Sequence, residues 1–338
     1  MRAAVFKKPF VLDIQELPLI KPGEKELRIQ VEVCGICATD GHIYEGEAPA
    51  NPPVVLGHEF VGRIIEKGAR TDSFEVGDRV AIDPNMNCGN CFYCRRGQVH
   101  LCENLHALGV TRNGGFAEFS LVPISQVYRI PENFPATIAA FAEPLSCCLH
   151  GIQRAEIKLN EHVVIVGGGT IGLLMLQLAQ LGGASKVVVM EPVKEKRDVA
   201  RKLSATYSFD PDKPDSVQNC QDLIGGGADV VIECVGTAQA ASLALQLVRR
   251  GGRVVLFGLA DKNARLQLHL QEQFLREMTI LWARLNPFTF QDAVDLLVAQ
   301  KIVVEPFGPV PLSFSILASY FSQPADKSKI KYQFVQDH

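Results

Sequence analysis

A glycine turn constrains the fold of this chain more than any other feature. Val166-Gly167-Gly168-Gly169-Thr170-Ile171-Gly172 follows the apolar run HVVIV (162–166) and leads into LLMLQLAQLGG. A short, continuous β-branched run of this kind is a strand buried on both faces of a parallel sheet. KVVVM (186–190), DVVIEC (229–234) and RVVLFG (253–258) read as further strands, with ASLALQLVRRG as a helix before the last. Strand, turn, helix and strand in alternation predict an α/β, doubly wound sheet. Within the turn, Gly167 permits the tight bend, Gly169 lets backbone approach a pyrophosphate, and Gly172 allows close helix–strand packing. Thr170 and Ile171 complete it, and the helix N-terminus faces the phosphates. Glu191 lies 19 positions after Gly172, at the end of KVVVM. A carboxylate there hydrogen-bonds the adenosine ribose hydroxyls and repels a 2′-phosphate. NAD is therefore expected ahead of NADP, although Lys194, Lys196 and Arg197 follow closely enough to keep NADP open.

The first 135 residues have a different texture. LRIQVEV (27–33), VGRII (61–65) and DRVAI (78–82) alternate with turn signals at Lys21-Pro22-Gly23, Gly77-Asp78 and Asn113-Gly114-Gly115. Short strands at that spacing predict a β-rich, partly open barrel or sandwich. With 338 residues and about 150 residues per domain, two domains are expected. From Thr137 the chain reads as helix (TIAAFAEPLSCCLHGIQRA), with Pro144 interrupting or restarting it. After Trp282 the pattern weakens to one helix, FQDAVDLLVAQ (290–300), and a mixed tail able to rejoin the N-terminal region.

Net charge is −3, which leaves no cationic footprint for nucleic acid or an anionic membrane. No stretch approaches the ~18 consecutive apolar residues of a membrane span. The opening MRAAVFKKPFVLDIQ has no apolar signal region. Thiols that must stay reduced to bind metal point to the cytoplasm.

Much of the cysteine is clustered. Cys88-Gly-Asn-Cys91-Phe-Tyr-Cys94 is followed, after seven intervening residues, by Cys102. Four thiolates satisfy tetrahedral zinc completely, so such a site has no open position and is structural. A Cys₄ set also serves iron, but no further cluster-type ligation accompanies this one. Zinc is the expectation.

A second constellation is mixed: Cys34-Gly-Ile-Cys37-Ala-Thr39-Asp40-Gly-His42 and Gly57-His58-Glu59. Thiolate, imidazole and carboxylate from separate loops suit a three-ligand zinc with a free position. Read alone, Gly-His-Glu is more often a satisfied turn than a ligand pair. Cys34 and Cys37 as a redox pair would need a βαβ context that is absent. An open zinc polarises an alcohol as a Lewis acid, and the proton must then leave the buried site. Thr39 and His42 carry a hydroxyl and an imidazole suited to that relay, and Asp40 suits orientation of a ligand. Glu143, in an apolar stretch, is a further metal ligand, a supporting group, or a charge at a helix start. Cys147, Cys148, Cys220 and Cys234 read as small buried hydrophobes, and Trp282 as core packing. Arg284 is left undecided. His106, His150 and His162 have no companions that would make them catalytic.

These segments occur in a specific order, continued by Gly77-Asp78-Arg79-Val80 and Gly114-Gly115-Phe116-Ala117-Glu118. The set resembles the zinc-dependent medium-chain dehydrogenase/reductase family of alcohol and polyol dehydrogenases. The resemblance implies a GroES-like β-rich catalytic domain over 1–149 and 283–338, and a Rossmann coenzyme domain over 150–282. It also implies one structural and one catalytic zinc per chain, and a homo-oligomer, dimer or tetramer. Cys37, His58 and Glu59 match catalytic-zinc positions, while Thr39 and His42 match the relay. Glu143-Pro144 falls where classical alcohol dehydrogenases carry a ligand cysteine, and a Glu there resembles the sorbitol, arabinitol and threonine dehydrogenase branch. Which of Glu59 and Glu143 ligates, or stands aside for water, stays open. Asp83-Pro84-Asn85, Leu108-Gly109-Val110-Thr111-Arg112 and Asn286-Pro287-Phe288-Thr289-Phe290 resemble the arabinitol/sorbitol-like group. Trp282-Ala-Arg284 and the basic, aromatic tail KSKIKYQFVQDH depart from it. The expected chemistry is NAD-linked oxidation of a polyol to a ketose, with L-threonine 3-dehydrogenase or a non-catalytic zinc- and NAD-binding protein as alternatives.

Overall fold

Period-two burial builds the first unit. Along Glu26–Gly35, Leu27, Ile29, Val31 and Val33 are buried while Arg28, Gln30 and Glu32 turn outward, the pleat's alternation. This strand pairs antiparallel with Glu59–Lys67, Phe119–Pro123 and Tyr332–Val335. It lies inside a seven-stranded sheet, accompanied by a three-stranded sheet and a two-stranded ribbon, Asn85–Met86 with His106–Ala107. The computed structural model describes residues 1–324 and 326–336; Ala325, Asp337 and His338, the last two at the end of the tail segment, lie outside the described residues. One compact unit comprises Met1–Ser146, Leu285–Asp326 and the tail from Lys331. Its core joins Leu27, Phe60 and Phe116 to Leu312, Phe314 and Phe334.

The second unit, Cys147–Arg284 with Lys327–Ile330, holds six strands, all paired in parallel. Their spatial order is Tyr207–Phe209, Lys186–Met190, His162–Val166, Ala228–Glu233, Val248–Leu256, Thr279–Trp282. The chain starts in the middle and winds outward both ways, so the order reverses beside His162–Val166, where a doubly wound sheet leaves a ligand crevice.

Local departures have physical reasons. The helix expected through Val248-Arg-Arg-Gly stops at Leu247, and the following strand begins at Val248. A β-branched residue followed by Gly251-Gly252 does not sustain helix. The segment from Thr137 divides into Ala136–Ala139 and Ala142–Ala155. Pro144 therefore restarts the helix from its first turn, where no backbone donor is needed. Trp282 is not core: it ends the edge strand Thr279–Trp282 and is 66% exposed. Among the described residues no helix is long and apolar enough to cross a membrane.

Candidate active site

Cys37 stands at the N-cap of the helix Ala38–Glu45. Its N–H donates to Asp40 Oδ2 at 2.9 Å, a reciprocal cap with cysteine in the usual serine place. His58 and Glu59 arrive where the strand Glu59–Lys67 begins. Gly57 precedes them with φ +87°, and a Cβ on it would meet the Phe116 ring at 2.6 Å and Cys34 Sγ at 2.8 Å. Only glycine lets the chain turn there. The result brings one ligand atom each of Cys37, His58 and Glu59 within 4.8 Å of one another.

His58 and Glu59 are almost fully buried, and Asp40 entirely so. Buried His58 Nδ1 has no well-directed hydrogen bond; Asp40 Oδ1 lies 3.4 Å away. Burial lowers the His58 pKa, but Asp40 and Cys37 outweigh it and hold it well above its ordinary value. A soft thiolate, an imidazole lacking a directed partner and a carboxylate in one electronegative pocket are what a zinc ion requires. These residues fit the metal. Thr39 Oγ1 lies 3.6 Å from Cys37 Sγ. His42, one turn on, places Nδ1 2.7 Å from Glu47 Oε2, and no hydrogen bond among the described residues joins it to Thr39. Glu143 is buried at the start of the helix Ala142–Ala155. Cys34 is buried too, and burial with the nearby Asp40 and Glu59 charges pushes its thiol well up, which makes it inert beside Cys37.

One residue of this centre carried no signal in the sequence beyond the basic tail. Lys331, 4% exposed, donates from Nζ to Ile36 O at 2.9 Å and forms an ion pair with Glu59 Oε2. Burial opposes its charge, but Glu59, Cys37 and Glu143 raise its pKa above the ordinary lysine value.

The lobe is assembled within one segment. The sulfurs of Cys88, Cys91, Cys94 and Cys102 also lie within 4.8 Å of one another. Backbone N–H groups of Cys94 and Glu103 bring the Cys91 thiol down to about 6, and those of Asn90 and Cys91 lower Cys88. Burial pushes the Cys94 thiol the other way, up to about 12, so it is the converging geometry of the four sulfurs that fits a closed metal site.

In the second unit, Gly167 has φ +104°, and Gly169 caps the helix Thr170–Leu181 with nothing within 4 Å of an added Cβ. A Cβ on Gly172 would strike the Gly167 carbonyl. Tight bend, open approach and close packing therefore fall on the three glycines in that order. Thr170 Oγ1 donates to Ile330 O at 2.8 Å, and Ile171 O faces Cys148 Sγ. Glu191 is buried just past its strand, accepting from Gly168 N at 2.6 Å and Val193 N at 2.9 Å. Arg197 donates to Glu191 O at 2.7 Å and Pro192 O at 2.6 Å. This open backbone cradle and its helix N-terminus fit a dinucleotide.

The segments resembling the arabinitol/sorbitol-like group meet one another, although 201 residues separate Asn85 from Asn286. Asn85 Nδ2 donates to Asn286 Oδ1 at 2.8 Å, and Asn286 Nδ2 to Asp83 Oδ1 at 3.1 Å. They line a cavity of about 280 Å³ with Gln126, Tyr128 and Phe288. Burial pushes the Asp83 carboxyl up to about 6, against hydrogen bonds from Asn85 and Asn286 that lower it.

Two family models match the chain. Residues 23–132 match the alcohol dehydrogenase GroES-like domain, and residues 170–299 the zinc-binding dehydrogenase family. D-arabinitol dehydrogenase 1 of Uromyces fabae is 35% identical, over 89% of this chain and 87% of its own. L-threonine 3-dehydrogenase of Pyrococcus furiosus is 36% identical, over 75% and 74% respectively. A zinc-binding dehydrogenase of Sinorhizobium meliloti 1021, crystallised with NADP, superposes with a TM-score of 0.95 at 37% identity, covering 99% of this chain and 98% of that one. The chain belongs to the zinc-dependent medium-chain dehydrogenase/reductase family and is an NAD(P)-linked oxidoreductase acting on CH–OH donors.

Proposed function

We propose that the protein oxidises a secondary alcohol of a sugar alcohol to the ketose with NAD as acceptor. The observation that carries this reading is the convergence of Cys37, His58 and Glu59 with the Thr39 hydroxyl beside them. When bound, zinc supplies Lewis-acid activation of the alcohol and the nicotinamide takes up the hydride. The chain's residues do the rest. Asp40 holds the helix start that carries Cys37 and faces His58, fixing two ligands at once. In this reading Thr39 takes the alcohol proton, and His42, half-buried and paired with Glu47, releases it outward through one bridging hydroxyl or water. Glu143 supplies a second carboxylate near the centre, as ligand or counter-charge.

Residues 1–149 and 283–338 form the catalytic domain in this reading, and 150–282 the coenzyme domain. NAD is supported by Glu191: its carboxylate lies against Gly168 of the phosphate turn, an unfavourable corner for a 2′-phosphate. Four cysteines in a closed lobe support a structural zinc, which would need a reducing compartment such as the cytoplasm. A homo-oligomer is supported by the edge strand Thr279–Trp282 and the helix Leu270–Arg276, whose Leu270 and Phe274 are 80% and 82% exposed.

The test is NADH formation with arabinitol, xylitol and sorbitol, each with NAD and NADP. Rapid turnover of a polyol with NAD is expected. L-threonine, the substrate named by the Pyrococcus relative, is the rival, and turnover of threonine alone would overturn the polyol reading.

A further inference from the structure

A buried positive charge beside a cation site repels the cation and competes with it for the same carboxylate, so Lys331 needs a reason. Its place is set by backbone. Gln333 stands opposite Gly35 in register, and Ile36 N donates to Tyr332 O at 2.9 Å, so Lys331 precedes the strand level with Cys37 and its side chain reaches back over Gly35. On the other side of that strand Gly35 faces Glu59. A Cβ on Gly35 would overlap Glu59 Oε2 and touch Lys331 Cε at 3.0 Å. Three strands thus clamp the ammonium against one carboxylate oxygen, and Ile36 O takes a second of its protons. A charge-assisted hydrogen bond in a dry setting is strong enough to withhold an oxygen from a metal.

We propose that Lys331 is a positioning residue that holds Glu59 back from the metal by one carboxylate oxygen, keeping a coordination position available for the substrate hydroxyl. The proposal rests on the reading of Cys37, His58 and Glu59 as ligands. Without the ammonium, the buried carboxylate has the metal as its remaining counter-charge and closes onto it. Metal is then held more tightly while substrate is held less well.

Cobalt-substituted full-length protein tests this, because an added oxygen donor weakens the visible ligand-field bands of a four-coordinate cobalt ion. The C37S variant supplies the lobe's own spectrum for subtraction. In K331M the bands of the open centre should weaken, and zinc release to a chelator should slow about tenfold, the scale on which outer partners alter metal affinity. KM for the alcohol should rise. In an E59Q background the same lysine change should do none of this. Unchanged bands and release in K331M, or an undiminished change in E59Q/K331M, would overturn the proposal alone. Bands that C37S leaves intact would overturn the ligand assignment and the proposal with it. A K331M protein that fails to fold even with zinc present also counts against it, since a Glu59 closing on the metal would already have its counter-charge.

Discussion

The lobe and the open centre are both sulfur-bearing candidate metal sites in one unit, yet they are built in opposite ways. The lobe takes four like ligands from a single segment, 88–102, steadied by its own backbone N–H groups. The centre takes three unlike ligands from a helix start and a strand start, and adds a lysine 272 residues away from Glu59. In the first, a metal would organise a loop with little structure of its own: two short 3₁₀ turns, Cys94–Arg96 and Val99–Leu101. In the second, the sheet is already organised and a metal would be a guest. Losing metal should therefore cost the lobe its fold and the centre its chemistry.

Breaking each site in turn gives the largest effects. Cys37→Ser should lower kcat/KM roughly a thousandfold or more, reduce zinc from two to the lobe's one per chain, and leave the melting temperature near that of the parent. Cys88→Ser should instead shift the melting temperature down by many degrees, with activity lost only as unfolded protein accumulates. Equal thermal losses in the two variants would erase the distinction. A smaller effect sharpens it. Thr39→Val should slow turnover on the order of a hundredfold while zinc content stays at two, and Thr39→Ser should restore most of it. Zinc analysis beside kinetics separates a relay defect from a ligand defect.

The smallest expected effect concerns Asp83, a half-buried carboxyl held by Asn85 and Asn286. Its folded pKa of about 6 is above the ordinary 3.8. Between those values the folded state binds more proton than the unfolded one, so its contribution to stability falls as pH rises from about 4 to about 6. Asp83→Asn should flatten that slope, with a ceiling of about 3 kcal/mol, readable as the pH dependence of denaturant midpoints. A variant with the parent's slope would place the titration elsewhere.

What could be read before the structure follows the same local-versus-distant line. HVVIV and KVVVM became strands residue for residue, His162–Val166 and Lys186–Met190, because a doubly buried parallel strand is a continuous apolar run. The four lobe cysteines and the Cys37 and His58-Glu59 segments were legible because each lies within a few residues and has its own chemical logic. Lys331 was not, since pairing at a separation of 295 residues leaves no periodic trace and one basic residue in a basic tail looks solvated. Trp282 misled for a related reason: an aromatic suits a core and an edge strand alike, and only the sheet order distinguishes them.

Translation gives the Lys331 contact a further meaning. At 5–20 residues per second, the 272 residues between Glu59 and Lys331 correspond to a delay of roughly 14–54 s. During that interval the nascent chain already carries the thiolate, imidazole and carboxylate, but not the ammonium that engages the last of them. If Lys331 restrains Glu59, the young site is a better metal trap than the finished one. Zinc capture would then come early, and catalytic competence only when the final strand slots in. Zinc retention by a ribosome-bound chain ending before 330, compared with the released protein under the same chelator, would show whether that order holds; equal retention would refute it.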